Sequence, residues 1–124
     1  MRNVLRRVCT IVLLLGTIFG VMLSAAAKPI VGLASWYGRQ HQGRKMANGQ
    51  RFDRLRLTAA HRTFKFGTLL RVCLQKTGKC VDVVVTDRGP APVKRIIDLS
   101  EAAADAIGLK PYGVSRVTIE EILQ

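Results

Sequence analysis

The segment Thr68-Leu69-Leu70-Arg71-Val72-Cys73-Leu74, followed by Gln75-Lys76-Thr77-Gly78 and then Lys79-Cys80-Val81-Asp82-Val83-Val84-Val85, decides the fold class. Two runs rich in β-branched and apolar residues flank a short Gly-containing turn, and this predicts a β-hairpin. Working outward, residues 30–37 form another β-favouring run ended by Gly38, and Ser115-Arg116-Val117-Thr118-Ile119 alternates with the period of a half-buried strand. One helix stands out. Ser100 is a good N-cap, Glu101 suits the first turn, residues 102–107 are mostly strong helix formers, and Gly108 is placed to end it. Several short strands and one short helix predict a mainly β domain, a small barrel.

The chain has 124 residues, enough for one compact domain and too few for two large lobes. With 48% hydrophobic and 23% charged residues it is too apolar for a disordered chain, even at a formal net charge of +12. Residues 1–27 read separately. Three arginines in the first seven positions precede a charge-free apolar stretch over residues 8–23, and Ser24-Ala25-Ala26-Ala27 supplies the small residues of a cleavage site. Sixteen apolar residues fall short of the roughly 20 that span a bilayer, so the leader is expected to be a cleavable signal peptide. Lys28 and Pro29 stand where a lipoprotein would carry its lipidated cysteine. The expected product is residues 28–124, a periplasmic or secreted monomer with no membrane anchor.

That product keeps 17 basic and 8 acidic side chains, a net charge of +9. Outside the cytoplasm such a surface meets anionic wall polymers, and no nucleic acid partner is expected. The charge is concentrated: Arg39, Arg44, Lys45, Arg51, Arg54, Arg56 and Arg62 share their segment with one acid, Asp53, which predicts a basic face. Cys73 and Cys80 are the only cysteines left after the leader, and in an oxidising compartment they are expected to pair. A bridge over so short a loop fixes strand register more than it stabilises the whole fold. Two histidines twenty residues apart and two paired cysteines lack the clustering of a zinc site, and no phosphate loop or Ser-His-Asp triad appears. Neither metal nor cofactor is expected.

Five motifs in order carry a resemblance: Gly32-Leu33-Ala34-Ser35-Trp36-Tyr37-Gly38, Met46-Ala47-Asn48-Gly49-Gln50-Arg51-Phe52-Asp53, Leu57-Thr58-Ala59-Ala60-His61-Arg62-Thr63, Thr86-Asp87-Arg88-Gly89-Pro90, and Arg95-Ile96-Ile97-Asp98-Leu99-Ser100. Together they resemble the rare lipoprotein A (RlpA) family from about Gly32 to Ile122, nearly the whole of the expected product. The resemblance implies a six-stranded double-psi β-barrel, shared with expansins. It further implies a lytic transglycosylase that acts on peptidoglycan glycan strands, prefers strands stripped of stem peptides, and leaves 1,6-anhydro-N-acetylmuramic acid (1,6-anhydroMurNAc) ends. Many members add a C-terminal SPOR domain, and the likeness here is to a short form without one.

Glycosidic cleavage needs an acid at the departing oxygen, and hydrolases add a second carboxylate. A lytic transglycosylase uses the sugar's own C6 hydroxyl as nucleophile, so one carboxyl group can serve as acid and then base. Asp87 is the candidate, at the end of an apolar run entering the Arg88-Gly89-Pro90 turn. The competing reading is an Asp that caps its turn. Arg88 is a candidate groove residue and would favour ionised Asp87 if their charged ends met. His61 matches the family's active-site histidine and is assigned a supporting catalytic role. Gln50 stands where the family pattern has Glu. An amide hydrogen-bonds sugar but moves no proton, so the alternative to cleavage is a binding or expansin-like wall-loosening module. Asp53 could substitute for that Glu or cap a turn. Asp98 reads first as structural, with a second groove carboxylate as the other possibility. Trp36 and Tyr37 are candidate sugar platforms on opposite faces of their strand, one toward the core and one toward the groove. His41 is expected at the surface.

Overall fold

The computed structural model describes residues 28–123, and the expected signal peptide over residues 1–27 lies outside them. Six strands form a closed barrel: β1 (Ile30–Tyr37), β2 (Thr58–Ala60), β3 (Leu69–Leu74), β4 (Cys80–Asp87), β5 (Arg95–Ser100) and β6 (Ser115–Glu121). The spatial order is β1-β5-β2-β4-β3-β6, closing back on β1. The pairs β1/β5 and β2/β4 are parallel and the other four antiparallel. This is a double-psi β-barrel, and closure leaves its strands no free edge.

Alternation along the strands builds the interior. Leu70, Val72 and Leu74 of β3 face Val81, Val83 and Val85 of β4 and Val117 and Ile119 of β6, all buried. Helix α1 (Glu101–Ile107) closes one side with Ala103, Ala104 and Ile107. Its termini follow the sequence expectation: the Ser100 side chain accepts the Ala103 amide, and Gly108, at φ 77°, donates to the carbonyls of Ala104 and Asp105. The Ser100 hydroxyl also donates to the Arg56 carbonyl at 2.6 Å, tying the cap to the loop before β2. Where β1 meets β5, a Cβ on Gly32 would fall 2.7 Å from Ile96 Cγ2, so any larger residue would force Ile96 to move.

The hairpin, β1, β6 and the helix lie where the sequence puts them, and Cys73 and Cys80 are bonded as a register pair, Cα atoms 4.0 Å apart. Two strands were not visible as strands. β2 has three residues, too few to show a period, and it is held between β4 and β5. β5 runs directly into the helix cap, with no turn signal between the strand and Ser100 to mark its end. These two strands set the site.

Candidate active site

Register across the sheet places four side chains in one row. Asp87 at the end of β4 pairs with Ala60 of β2, Ala60 with Asp98 of β5, and Asp98 with Ser35 of β1. Two strand spacings separate the aspartates, roughly 10 Å between Cα atoms. Register partners project to the same side, and the methyl of Ala60 leaves the space between the carboxylates open. Asp87, Ala60 and Asp98 line one groove of about 290 Å³ together with Tyr37, His41 and Arg88. Bulges between Leu33 and Ala34 and between Ala59 and Ala60 interrupt the ladders beside this row.

Asp87 caps its turn with one oxygen and leaves the other without a partner among the described residues. Oδ1 accepts the amides of Ala47 at 2.9 Å and Arg88 at 2.8 Å, which fixes the carboxyl plane. Oδ2 has no hydrogen-bond partner among the described residues. Asp98 Oδ1 accepts the Ser35 hydroxyl, and Asp98 lines the groove while Ser100 alone caps the helix two residues later.

Tyr37 supplies the aromatic wall. Its ring stacks on Phe52 at 4.4 Å and meets His41 edge-on at 5.5 Å. The hydroxyl is buried without a partner among the described residues. Burial, and then the negative charges of Asp87 and Asp98, push its pKa far above the usual tyrosine value. It therefore stays a protonated donor at any physiological pH. His41, expected at the surface, forms part of the groove wall. Trp36 points away from the groove, packing against the core with Gly38 and Glu101 around it and Lys110 Nζ 5.3 Å from its ring.

His61 is buried and its Nδ1 accepts the amides of Thr63 and Phe64, both at 3.2 Å. Two donors on Nδ1 require that nitrogen to be unprotonated, so the proton of the neutral ring sits on Nε2. Burial, with the charges of Arg62 and Arg88, lowers its pKa below the ordinary histidine value. Backbone links it to the aspartate, since the His61 amide donates to the Asp87 carbonyl at 3.1 Å.

The charged end of Arg88 does not meet Asp87. Its Nη1 donates to the carbonyls of His61 at 3.1 Å and Phe64 at 2.8 Å, and the guanidinium lies 3.9 Å over the Phe66 ring. Arg88 braces the loop after His61, and its charged end and that of Asp87 do not meet. Gln50 lines a neighbouring cavity that shares Met46 and Phe52 with the groove, and its side chain accepts from Asn48 Nδ2 at 3.1 Å. Asp53 is a turn cap there, accepting the Leu55 amide at 3.1 Å.

The basic segment divides. Arg54 is bound to Glu101, and Arg62 to the carbonyls of Pro92 and Arg95. Arg44 and Lys45 line the groove, and Arg51 and Arg56 the neighbouring cavity. Among the described residues no group of three or more His, Cys, Asp or Glu is placed to hold a metal ion, and no helix is long and apolar enough to cross a membrane.

Register between non-consecutive strands, which no local signal encodes, brings in Ser35 and Ala60 beside the expected residues, and the short 3-10 turn Arg39–His41 after β1 adds His41. Motif position alone could have flagged Ser35 and Ala60, since each is a neighbour of a singled-out residue.

Residues 30–119 match the family described as lytic transglycolase. The chain is 49% identical over 89 residues to a probable endolytic peptidoglycan transglycosylase RlpA of Synechocystis sp., covering 72% of this chain and 28% of that protein. It is 47% identical over 92 residues to endolytic peptidoglycan transglycosylase RlpA of Neisseria meningitidis serogroup A, covering 74% and 38%. For the Pseudomonas aeruginosa protein of the same name the identity is 44% over 108 residues, covering 87% and 32%. The chain thus spans about a third of the length of these relatives. Among solved structures, Streptomyces papain inhibitor superposes with a TM-score of 0.64 at 20% identity, covering 79% of this chain and 97% of that one. An expansin of Clavibacter michiganensis gives 0.62 at 23%, covering 78% and 52%. These two share the fold, and the sequence match over residues 30–119 assigns the rest: the chain belongs to the lytic transglycolase family of double-psi β-barrel domains.

Proposed function

We propose that this domain is an endolytic peptidoglycan transglycosylase. It cleaves the β-1,4 bond between N-acetylmuramic acid and N-acetylglucosamine in peptide-stripped glycan strands and leaves 1,6-anhydroMurNAc ends. The observation that carries the reading is Asp87: one oxygen locked by two backbone amides, the other free, on a groove wall it shares with Asp98. Its carboxyl group gives a proton to the departing oxygen as the C1–O bond breaks and positive charge develops on the sugar ring. The carboxylate so formed takes the proton of the C6 hydroxyl as that oxygen bonds to C1, which restores the acid. No water enters, and one residue completes the cycle. Asp98, steadied by Ser35, supplies negative charge beside the developing cation, and Tyr37 supplies a fixed hydroxyl donor. His61 supports from behind through the strand end.

The leader over residues 1–27 supports export, and the reading places the protein as a monomer in the periplasm or outside the cell. A second reading rests on Gln50, where the family pattern has Glu: a module that holds glycan in the same groove without cutting it. Mass spectrometry of the soluble products after incubation with amidase-stripped peptidoglycan separates the two. Anhydro-ended fragments from the wild-type chain support the transglycosylase. Fragments from Gln50→Glu and none from wild type would leave the binding module.

A further inference from the structure

Beside the groove lies a second cavity, about 530 Å³, which Gln50 lines and in which the cleavage steps above use no charged side chain. Met46 and Phe52 line both spaces, so the two cavities are neighbours. Its chemistry differs from that of the groove. Arg51 and Arg56 line it against a single acid, Asp53, whose Oδ1 already caps the Leu55 amide. Arg56 Nε is 3.9 Å from Asp53 Oδ2 and its side chain is 77% exposed, and Arg51 spends one N–H on the Gly43 carbonyl at 3.2 Å. Each guanidinium therefore keeps donors free, since arginine carries five. Thr58 also lines this cavity, and its hydroxyl lies buried behind the wall with no partner among the described residues. A buried hydroxyl left unpaired is costly and is commonly a place where a ligand completes the bonding.

We propose that this cavity is a carboxylate-binding subsite, in which Arg51, Arg56 and the Thr58 hydroxyl hold a carboxylate borne by the glycan strand. The inference rests on the glycan reading above and deepens it by naming what distinguishes an acceptable strand. Two sources present that chemistry: the lactyl acid of muramic acid once its peptide is gone, and the free carboxyls of a stem peptide. The lactyl acid is the shorter reach from a sugar in the groove. Guanidinium and carboxylate fit as paired N–H donors and paired oxygens, and the exposed rim makes the attraction sensitive to salt.

The test is binding of the full chain to three preparations of the same strands at low salt: stripped strands, stripped strands whose lactyl acids are converted to neutral methylamides, and strands with peptides intact. Neutralising the lactyl acids should weaken binding by about tenfold, the scale of one hydrogen bond to a charged group. Arg51→Gln combined with Arg56→Gln should bind free and neutralised strands alike, and Thr58→Val should lose part of the preference while melting at the wild-type temperature. Tighter binding of peptide-bearing strands that the double variant abolishes would assign the carboxylate to the peptide. Equal binding of all three preparations by wild type, or an undiminished preference in the double variant, would overturn the subsite. Product release accompanied by equal binding would overturn the subsite alone. Charge-selective binding without product would overturn the transglycosylase reading and leave the subsite standing.

Discussion

Asp82 and Asp87 stand five residues apart on β4, and their surroundings are opposite. At the hairpin end, Arg71 grips Asp82 with two bonds, Nε to Oδ1 at 3.0 Å and Nη2 to Oδ2 at 3.3 Å, beside the Cys73–Cys80 bridge and in unbroken register. At the groove end, Asp87 has no ion pair among the described residues, one free oxygen, an unpartnered tyrosine hydroxyl nearby and a bulge in the adjoining ladder. One end has its polar groups paired and the other holds them ready. Stability and chemistry are divided along a single strand, and polar groups left unsatisfied by a well-packed fold mark where a substrate completes the bonding.

The largest effect that would break this contrast is at Asp87. Asp87→Asn keeps a carbonyl oxygen for the Ala47 and Arg88 amides but cannot move a proton, so product release should fall by at least about 10²-fold, the usual scale of general acid–base catalysis. The melting temperature should stay near that of wild type. Next comes Tyr37→Phe, which removes a buried hydroxyl with nothing to bond. Folding stability should hold or rise slightly, while kcat should fall by about tenfold with little change in KM if that donor serves the transition state. A parallel fall in stability would mean that the hydroxyl has a structural partner.

A pH titration sharpens the same contrast. The His61 pKa is held below its unfolded value near 6.5, so between the folded and unfolded values the unfolded chain binds more protons. Stability contributed by this residue is complete above about pH 6.5 and declines as the pH falls toward the folded value. Nitrogen-15 NMR should find the neutral ring protonated at Nε2, with a midpoint below 6.5. A midpoint above it would contradict the backbone-capped imidazole. The smallest effect on chemistry belongs to the hairpin. Replacing Cys73 and Cys80 by serine should cost about 2.5 kcal/mol of stability on the chain-entropy estimate for so short a loop. Product release below the melting transition should be unchanged.

What the sequence disclosed follows the same division. The hairpin, the first and last strands and the capped helix are written in local signals: β-branched runs, a turn glycine, a Ser cap and a Gly stop. Asp87 was legible because a strand end entering Arg-Gly-Pro is a local signal too. Its companions Asp98 and Tyr37 were legible only as alternatives, without the register that joins them to it. Asp98 joins it only through Ala60, a contact between strands far apart in sequence, and Ala60 belongs to a strand too short to show a period. The choice between Trp36 and Tyr37 depended on which face of β1 meets the groove, which is fixed by barrel closure. Arg88 was paired with Asp87 by adjacency alone, whereas its long side chain reaches past it to two carbonyls and an aromatic ring.

The most direct test of the divided strand compares soluble anhydro-ended products from stripped peptidoglycan for the wild-type chain, Asp82→Asn and Asp87→Asn, each at a temperature where all three are folded. The account predicts release by wild type and by Asp82→Asn, and its loss in Asp87→Asn. Equal release by Asp87→Asn and wild type would contradict it.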